Sequence, residues 1–182
     1  MILSGRNEAS LNAVSQECKQ IKPNLTVRVL PCDLNDPKSV SRLGTEVAKE
    51  AVDVLINNGG VSSRSAFLDT APEVDESVMR VNFLSGASLA KAVVPGMAKR
   101  GKGTVIWIGS NQDRIPLPSR SSYAASKFAV RGYCEALRAE LKSSGVTVHL
   151  PSPGYVRTNL SISAMKGDGK KHGMMDETTA GG

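Results

Sequence analysis

Residues 54–60 read VLINNGG. Three apolar positions in unbroken succession fit a short strand buried on both faces, and the asparagines and glycines after Ile56 end it. Runs of the same kind recur at Ile2–Ser4, Thr26–Leu30, Thr104–Gly109 and Val146–Leu150. Between them lie longer amphipathic stretches near 7–20, 37–51, 74–99 and 121–143. In the last of these, Val130, Cys134, Leu137 and Leu141 repeat at helical spacing. Asp36 before Pro37 is a good N-cap followed by a first-turn proline. Pro95 is expected to kink the third helical stretch, not to end it, because Met97 and Ala98 continue its pattern. Alternation of strand and helix predicts a parallel sheet covered by helices on both faces.

Composition narrows the function classes. The 182 residues suit one domain, with no internal repeat, and no run of apolar residues is long enough to span a membrane. A net charge of +6 invites a nucleic-acid reading, but the basic residues are scattered and aromatic residues make up only 4%. That is too few for a base-stacking platform, so no nucleic-acid partner is expected. Cys18, Cys32 and Cys134 are widely spaced and odd in number, and with only two histidines no metal site is expected. Such cysteine usage fits a reducing compartment. The glycines and lysines of GDGKKHG (167–173) neither follow a strand nor open a helix, so they are not read as a phosphate cradle.

The chemistry sits in SRSSYAASKFAV (119–130), where Tyr123 and Lys127 are four apart and share one helix face. A free phenol titrates near 10, too high for proton transfer at neutral pH, and a fixed cation beside it favours the phenolate. Alone, the pair is equally an exposed tyrosine and lysine on an amphipathic helix. Its neighbours change that reading. Ser110 ends one predicted strand, Asn57–Gly60 ends another, and Pro153–Gly154 follows a third. Ligands bind at the carboxyl ends of strands in open parallel sheets, so these three ends form a crevice.

With NNGG (57–60), Asn82 after a valine, Ser110, the Tyr123–Lys127 pair and SPGYVRT (152–158) in this order, the sequence resembles the short-chain dehydrogenase/reductase family along essentially all its length. Within it, YAASKFAVRGYCEALRAEL, SPGYVRTNLS and GMMDETTA look most like the member-seven branch of the dehydrogenase/reductases. The resemblance implies a Rossmann-like doubly wound α/β fold in one domain over 1–182, with 155–182 as a substrate-loop segment. It implies an oxidoreductase that interconverts a carbonyl and a secondary alcohol by hydride transfer. Tyr123 would be the general acid or base, and Lys127 would lower its pKa and hold the nicotinamide ribose. Ser110 would polarise the carbonyl, and Asn82 would hold a water in the proton relay. Arg6, Asp33, Leu34, Asn58, Gly59, Gly60, Tyr123, Lys127, Pro153, Gly154, Val156 and Thr158 would bind the cofactor. Arg6 follows Gly5, where an acidic residue would favour NAD; a guanidinium there suits a 2′-phosphate, hence NADP before NAD.

Several departures accompany the match. Gly59 replaces an alanine and is expected to loosen its turn, Gly109 stands where a serine commonly precedes the catalytic one, and Pro151 interrupts the strand before the Pro-Gly turn. The family's first strand and glycine-rich loop are not seen, which is expected to leave a gap in the sheet and marks the sequence as truncated at both ends. A second reading follows: an inactive member that acts only as a binding or dimerisation partner. The partners implied are a small carbonyl or alcohol, lipophilic if the apolar residues after Pro153 line its site, and another copy of the chain in a homodimer or tetramer. The compartment would be the cytoplasm, or the cytosolic face of an endomembrane if an anchor precedes.

Overall fold

A computed structural model describes residues 1–176; the end of the 155–182 segment and of GMMDETTA lies outside the described residues. The elements run β1 (Ile2–Leu3), α1 (Glu8–Ile21), β2 (Arg28–Val29), α2 (Pro37–Val47), β3 (Val54–Asn57), α3 (Pro72–Met79), α4 (Ser85–Arg100), β4 (Gly103–Trp107), α5 (Ser121–Glu140) and β5 (Val146–His149). Every strand pair is parallel. β3, β4 and β5 form one block, with Ile56 opposite Ile106 and Ile106 opposite His149. β1 and β2 form the other, with Ile2 opposite Arg28. No ladder joins β1 to β3 among the described residues, so the anticipated gap in the sheet is present.

The helix boundaries have local causes. Asn7 caps α1 by accepting from the Ser10 N–H, and Asp36 caps α2 by accepting from the Lys38 N–H ahead of Pro37. α4 runs through Pro95 to Arg100 and stops at Gly101, whose φ of 70° is the left-handed conformation that closes a helix cheaply. Sequence periodicity over 74–99 suggested one continuous helix. Instead, α3 and α4 are joined by a π-helical turn at Arg80–Leu84, which contains Asn82. Single π turns recur at functional sites because they re-aim one side chain.

The core lies on the face of the β3–β4–β5 block covered by α2, α4 and α5. Val40 and Leu43, Leu89, Val93 and Met97, Val105 and Trp107, and Val130 and Cys134 meet there. Trp107 is 2% exposed and forms an aromatic cluster with Phe83 and Tyr133, ring centroids 5.4–6.2 Å apart. Gly86 on α4 admits it: a Cβ at Gly86 would lie 2.5 Å from the indole. The opposite face of β3 is less covered than its apolar run implied, with Val54 51% and Ile56 58% exposed. Coverage of the sheet on both faces is therefore incomplete at β3. None of the described helices is long and apolar enough to cross a membrane.

Candidate active site

β4 and the stretch after it deliver the serine. The Ser110 Oγ accepts the Gln112 N–H at 3.2 Å, capping a short 3-10 turn at Asn111–Asp113, and its hydroxyl donates to the Asn111 Oδ1 at 3.3 Å. α5 delivers the tyrosine and lysine, each 6% exposed. Tyr123 hydrogen-bonds Ser110, and the Lys127 ammonium sits 5.7 Å from the Tyr123 ring centroid while donating to the Ile108 carbonyl at 2.8 Å. The three residues thus meet where β4 ends.

Burial dominates their electrostatics. The Tyr123 phenol is held above its ordinary 10 by loss of water, with the Asp113 carboxylate adding to the rise; the Ser110 hydrogen bond, Arg64 and Arg120 oppose it. The phenol is therefore raised on balance, whereas the Tyr–Lys spacing had suggested a lowered one. A cation stabilises a phenolate only against the cost of desolvating it, and here desolvation wins. Burial also brings Lys127 down to about 8, with Asp113 holding it up. At neutral pH the site holds a protonated phenol beside a largely charged ammonium.

Asn82 is 2% exposed and works as a strut. Its Oδ1 accepts the Val61 N–H at 2.8 Å, and its Nδ2 donates to the Val61 carbonyl at 2.9 Å and to the Ser126 Oγ at 2.8 Å. Ser126 in turn donates to the Tyr123 carbonyl at 2.7 Å. One amide side chain therefore fixes the loop after Asn57–Gly60 against the Tyr123–Ser126 turn of α5. Both amide hydrogens are spent on this, leaving only acceptor capacity for any relay.

On the other side of Asn82, a cavity of about 260 Å³ is lined by Arg6, Asp33, Leu34, Asn58, Gly59, Gly60 and Asn82. It gathers the anticipated cofactor residues from the amino-terminal half of the chain. Arg6 is exposed and has no hydrogen-bond or ion-pair partner among the described residues. Gly59 does more than loosen its turn: a Cβ there would lie 2.5 Å from Leu34 Cδ1, so the glycine lets Leu34 close the cavity wall. Pro153, Gly154, Val156 and Thr158 are exposed on the segment after β5, outside this cavity. The backbone nevertheless ties that segment to β4: Gly109 N–H donates to Pro151 at 2.8 Å and Asn111 N–H to Pro153 at 3.1 Å.

Four charged residues that the sequence pattern did not single out complete the site. Asp176, in the 155–182 segment, accepts from both Arg64 and Arg120 and from the Ser161 hydroxyl. These contacts hold the Asp176 carboxyl well below its ordinary range. Arg64 follows Ser62 and Ser63, both almost fully buried, and its N–H donates to Met165 at 2.8 Å. The segment is thereby docked beside Arg120, three residues before Tyr123. Asp113 is the fourth. No local spacing signals the pairing of Asp176 with Arg120 and Arg64, which lie 56 and 112 positions away. Among the described residues no cluster could hold a metal ion.

Parallel strands, flanking helices and polar groups gathered at strand ends define a Rossmann-like α/β protein. The family model described as short chain dehydrogenase matches residues 1–168. The chain belongs to that family, whose members are oxidoreductases. It is 43% identical over 188 residues to the Bos taurus protein named Dehydrogenase/reductase SDR family member 7B, covering 100% of this chain and 58% of that one. Among solved structures it resembles a short-chain dehydrogenase from Sphingobium yanoikuyae in complex with NADPH, with a TM-score of 0.83 and 27% identity over 88% of this chain and 62% of that one. It also resembles a gluconate 5-dehydrogenase from Burkholderia cenocepacia in complex with NADP and tartrate, with a TM-score of 0.79 and 27% identity over 88% of this chain and 63% of that one. The chain thus spans less than two thirds of each of these three proteins.

Proposed function

We propose that this chain carries the catalytic half of an NADP-dependent oxidoreductase that interconverts a carbonyl and a secondary alcohol. The observation that carries the reading is the buried meeting of Ser110, Tyr123 and Lys127 at the end of β4. Ser110, its hydroxyl turned from Asn111 Oδ1 toward the substrate, orients and polarises a carbonyl oxygen, and the protonated Tyr123 gives that oxygen its proton. Lys127, charged at neutral pH, stabilises the phenolate left behind. The nicotinamide cofactor supplies the hydride when bound. Asn82 keeps the cofactor-side loop and the catalytic helix in register.

The cavity beside Asn82 suits part of a nucleotide: Asn58, Gly59 and Gly60 line it, and the unpaired Arg6 stands at its wall. Arg6 supports NADP over NAD, as do the nucleotides in the two similar structures. Replacing Arg6 by Ala should weaken NADPH binding about 10-fold or more and leave NADH binding nearly unchanged. Equal losses for both nucleotides would remove the phosphate-binding role. Tyr155, Val156, Leu160, Ile162 and Met174 are 36–63% exposed on the segment after β5 and favour a lipophilic substrate. Phe128 on α5, 44% exposed, favours pairing with a second copy through that helix.

The divided sheet and the open face of β3 favour a second reading, in which the chain keeps the site but acts as a binding partner without turnover. Reduction of a carbonyl panel by the 182-residue protein with NADPH separates the two.

A further inference from the structure

Asp113 takes no part in the chemistry above, yet it is 0% exposed and stands where all the elements of the site converge. From β4, the Ser110 N–H points at its Oδ2 at 3.4 Å. From the turn after β5, the Ser152 hydroxyl donates to the same oxygen at 2.6 Å. From α5, Arg131 brings a guanidinium nitrogen to 3.5 Å from Oδ1, and Arg114 on its own turn does the same at 3.5 Å. Arg131 lies four residues beyond Lys127 and eight beyond Tyr123, so the three share one helix face. Arg131 is also paired with Glu135 at 3.0 Å. Asp113 Oδ1 has no hydrogen bond, only these charges.

A carboxylate taken out of water and left half-satisfied is costly, and it persists where its charge or its geometry is needed. The chain makes room for it. A Cβ at Gly109 would lie 2.8 Å from Asp113 Oδ2 and 2.8 Å from the Ser152 hydroxyl. The glycine before Ser110, where the family commonly has a serine, is thus fitted to the aspartate four residues on.

We propose that Asp113 is a positioning residue: its carboxylate ties the Ser110 strand end, the Ser152–Gly154 turn and the Tyr123–Lys127–Arg131 face of α5 into one unit. Its charge, set within that unit, also favours the ammonium form of Lys127. The activity part of this proposal rests on the oxidoreductase reading. The charge part does not.

The test is the pH dependence of Lys127 reactivity toward a trace acylating reagent, read by mass spectrometry on the intact 182-residue protein. The wild-type midpoint is expected near 8. Asp113→Asn keeps the shape and removes the charge, so the midpoint should fall by about one pH unit. In the NADPH-dependent reductase assay its kcat should fall about 10- to 100-fold, with the alkaline limb of the pH profile moving the same way. Arg131→Met removes a cation and keeps the carboxylate, so the Lys127 midpoint should rise. It also serves if Asp113→Asn does not fold. A Lys127 midpoint unmoved in either folded variant overturns the proposal. A wild-type protein that binds NADPH but reduces nothing sinks the oxidoreductase reading, while the labelling experiment still decides the role of Asp113.

Discussion

Tyr123 and Lys127 are both withdrawn from water, and burial moves them in opposite directions: the phenol up, the ammonium down to about 8. The consequence for Lys127 is measurable without any substrate. Its unfolded value is 10.5. Between about 8 and 10.5 the unfolded chain therefore holds a proton that the native one has released. Unfolding then takes up protons, so stability rises with pH through this window. Comparison with Lys127→Met isolates the effect. The unfolding free energy of the wild type, minus that of the variant, should climb with pH at up to about 1.4 kcal/mol per unit. A flat difference across the window would mean that Lys127 is not desolvated in the folded protein.

At the scale of elements, the segment between Ser161 and Asp176 is held by a charged junction and by backbone hydrogen bonds joining Met165 to Ser62 and Arg64. Arg64, Arg120 and Asp176 have side chains only 11–15% exposed, so their pairing is stronger than a surface ion pair. Asp176→Asn should cost about 3 kcal/mol of local closure and speed proteolysis of the segment at neutral pH roughly a hundredfold. The folded value of Asp176 lies below its unfolded 3.8, so its contribution is complete above about pH 4 and fades as the pH falls further. Equal proteolysis of wild type and variant would show that the segment is held by its backbone contacts to 62–64 instead.

The same scale explains what could be read in advance. β3 was legible residue for residue, because VLIN is a short apolar run closed by asparagine and glycine. Ser110, Tyr123 and Lys127 were legible because strand ends and a four-residue helical spacing are local patterns. The π turn at Arg80–Leu84 was not: its apolar positions keep the helical period of the flanking helices, and only the pull of Asn82 on Val61 and Ser126 requires the extra residue. Asp113 and Asp176 were hidden for another reason. The Ser110–Asp113 spacing signals only a local cap, while Ser152 and Arg131 reach Asp113, and Arg64 and Arg120 reach Asp176, from other parts of the chain.

For the whole molecule, the two sheet blocks and the cavity at Arg6 matter most. The residues proposed to hold the cofactor lie on both sides of the break, Arg6 and Asp33 beside β1 and β2, the asparagine–glycine loop beside β3. Asn82 joins the second group to the catalytic helix, and the 58% coverage of the Bos taurus relative leaves the activity of the longer protein to experiment. The proposed reaction turns on proton transfer through Tyr123 in a nicotinamide-dependent step. Its most direct test is NADPH oxidation by the purified 182-residue protein over a panel of lipophilic carbonyls, beside Tyr123→Phe. The account predicts carbonyl-dependent loss of the reduced-nicotinamide absorbance, slowed about 100-fold or more by the substitution. Turnover unaffected by Tyr123→Phe, or no turnover by folded protein saturated with NADPH, would contradict it.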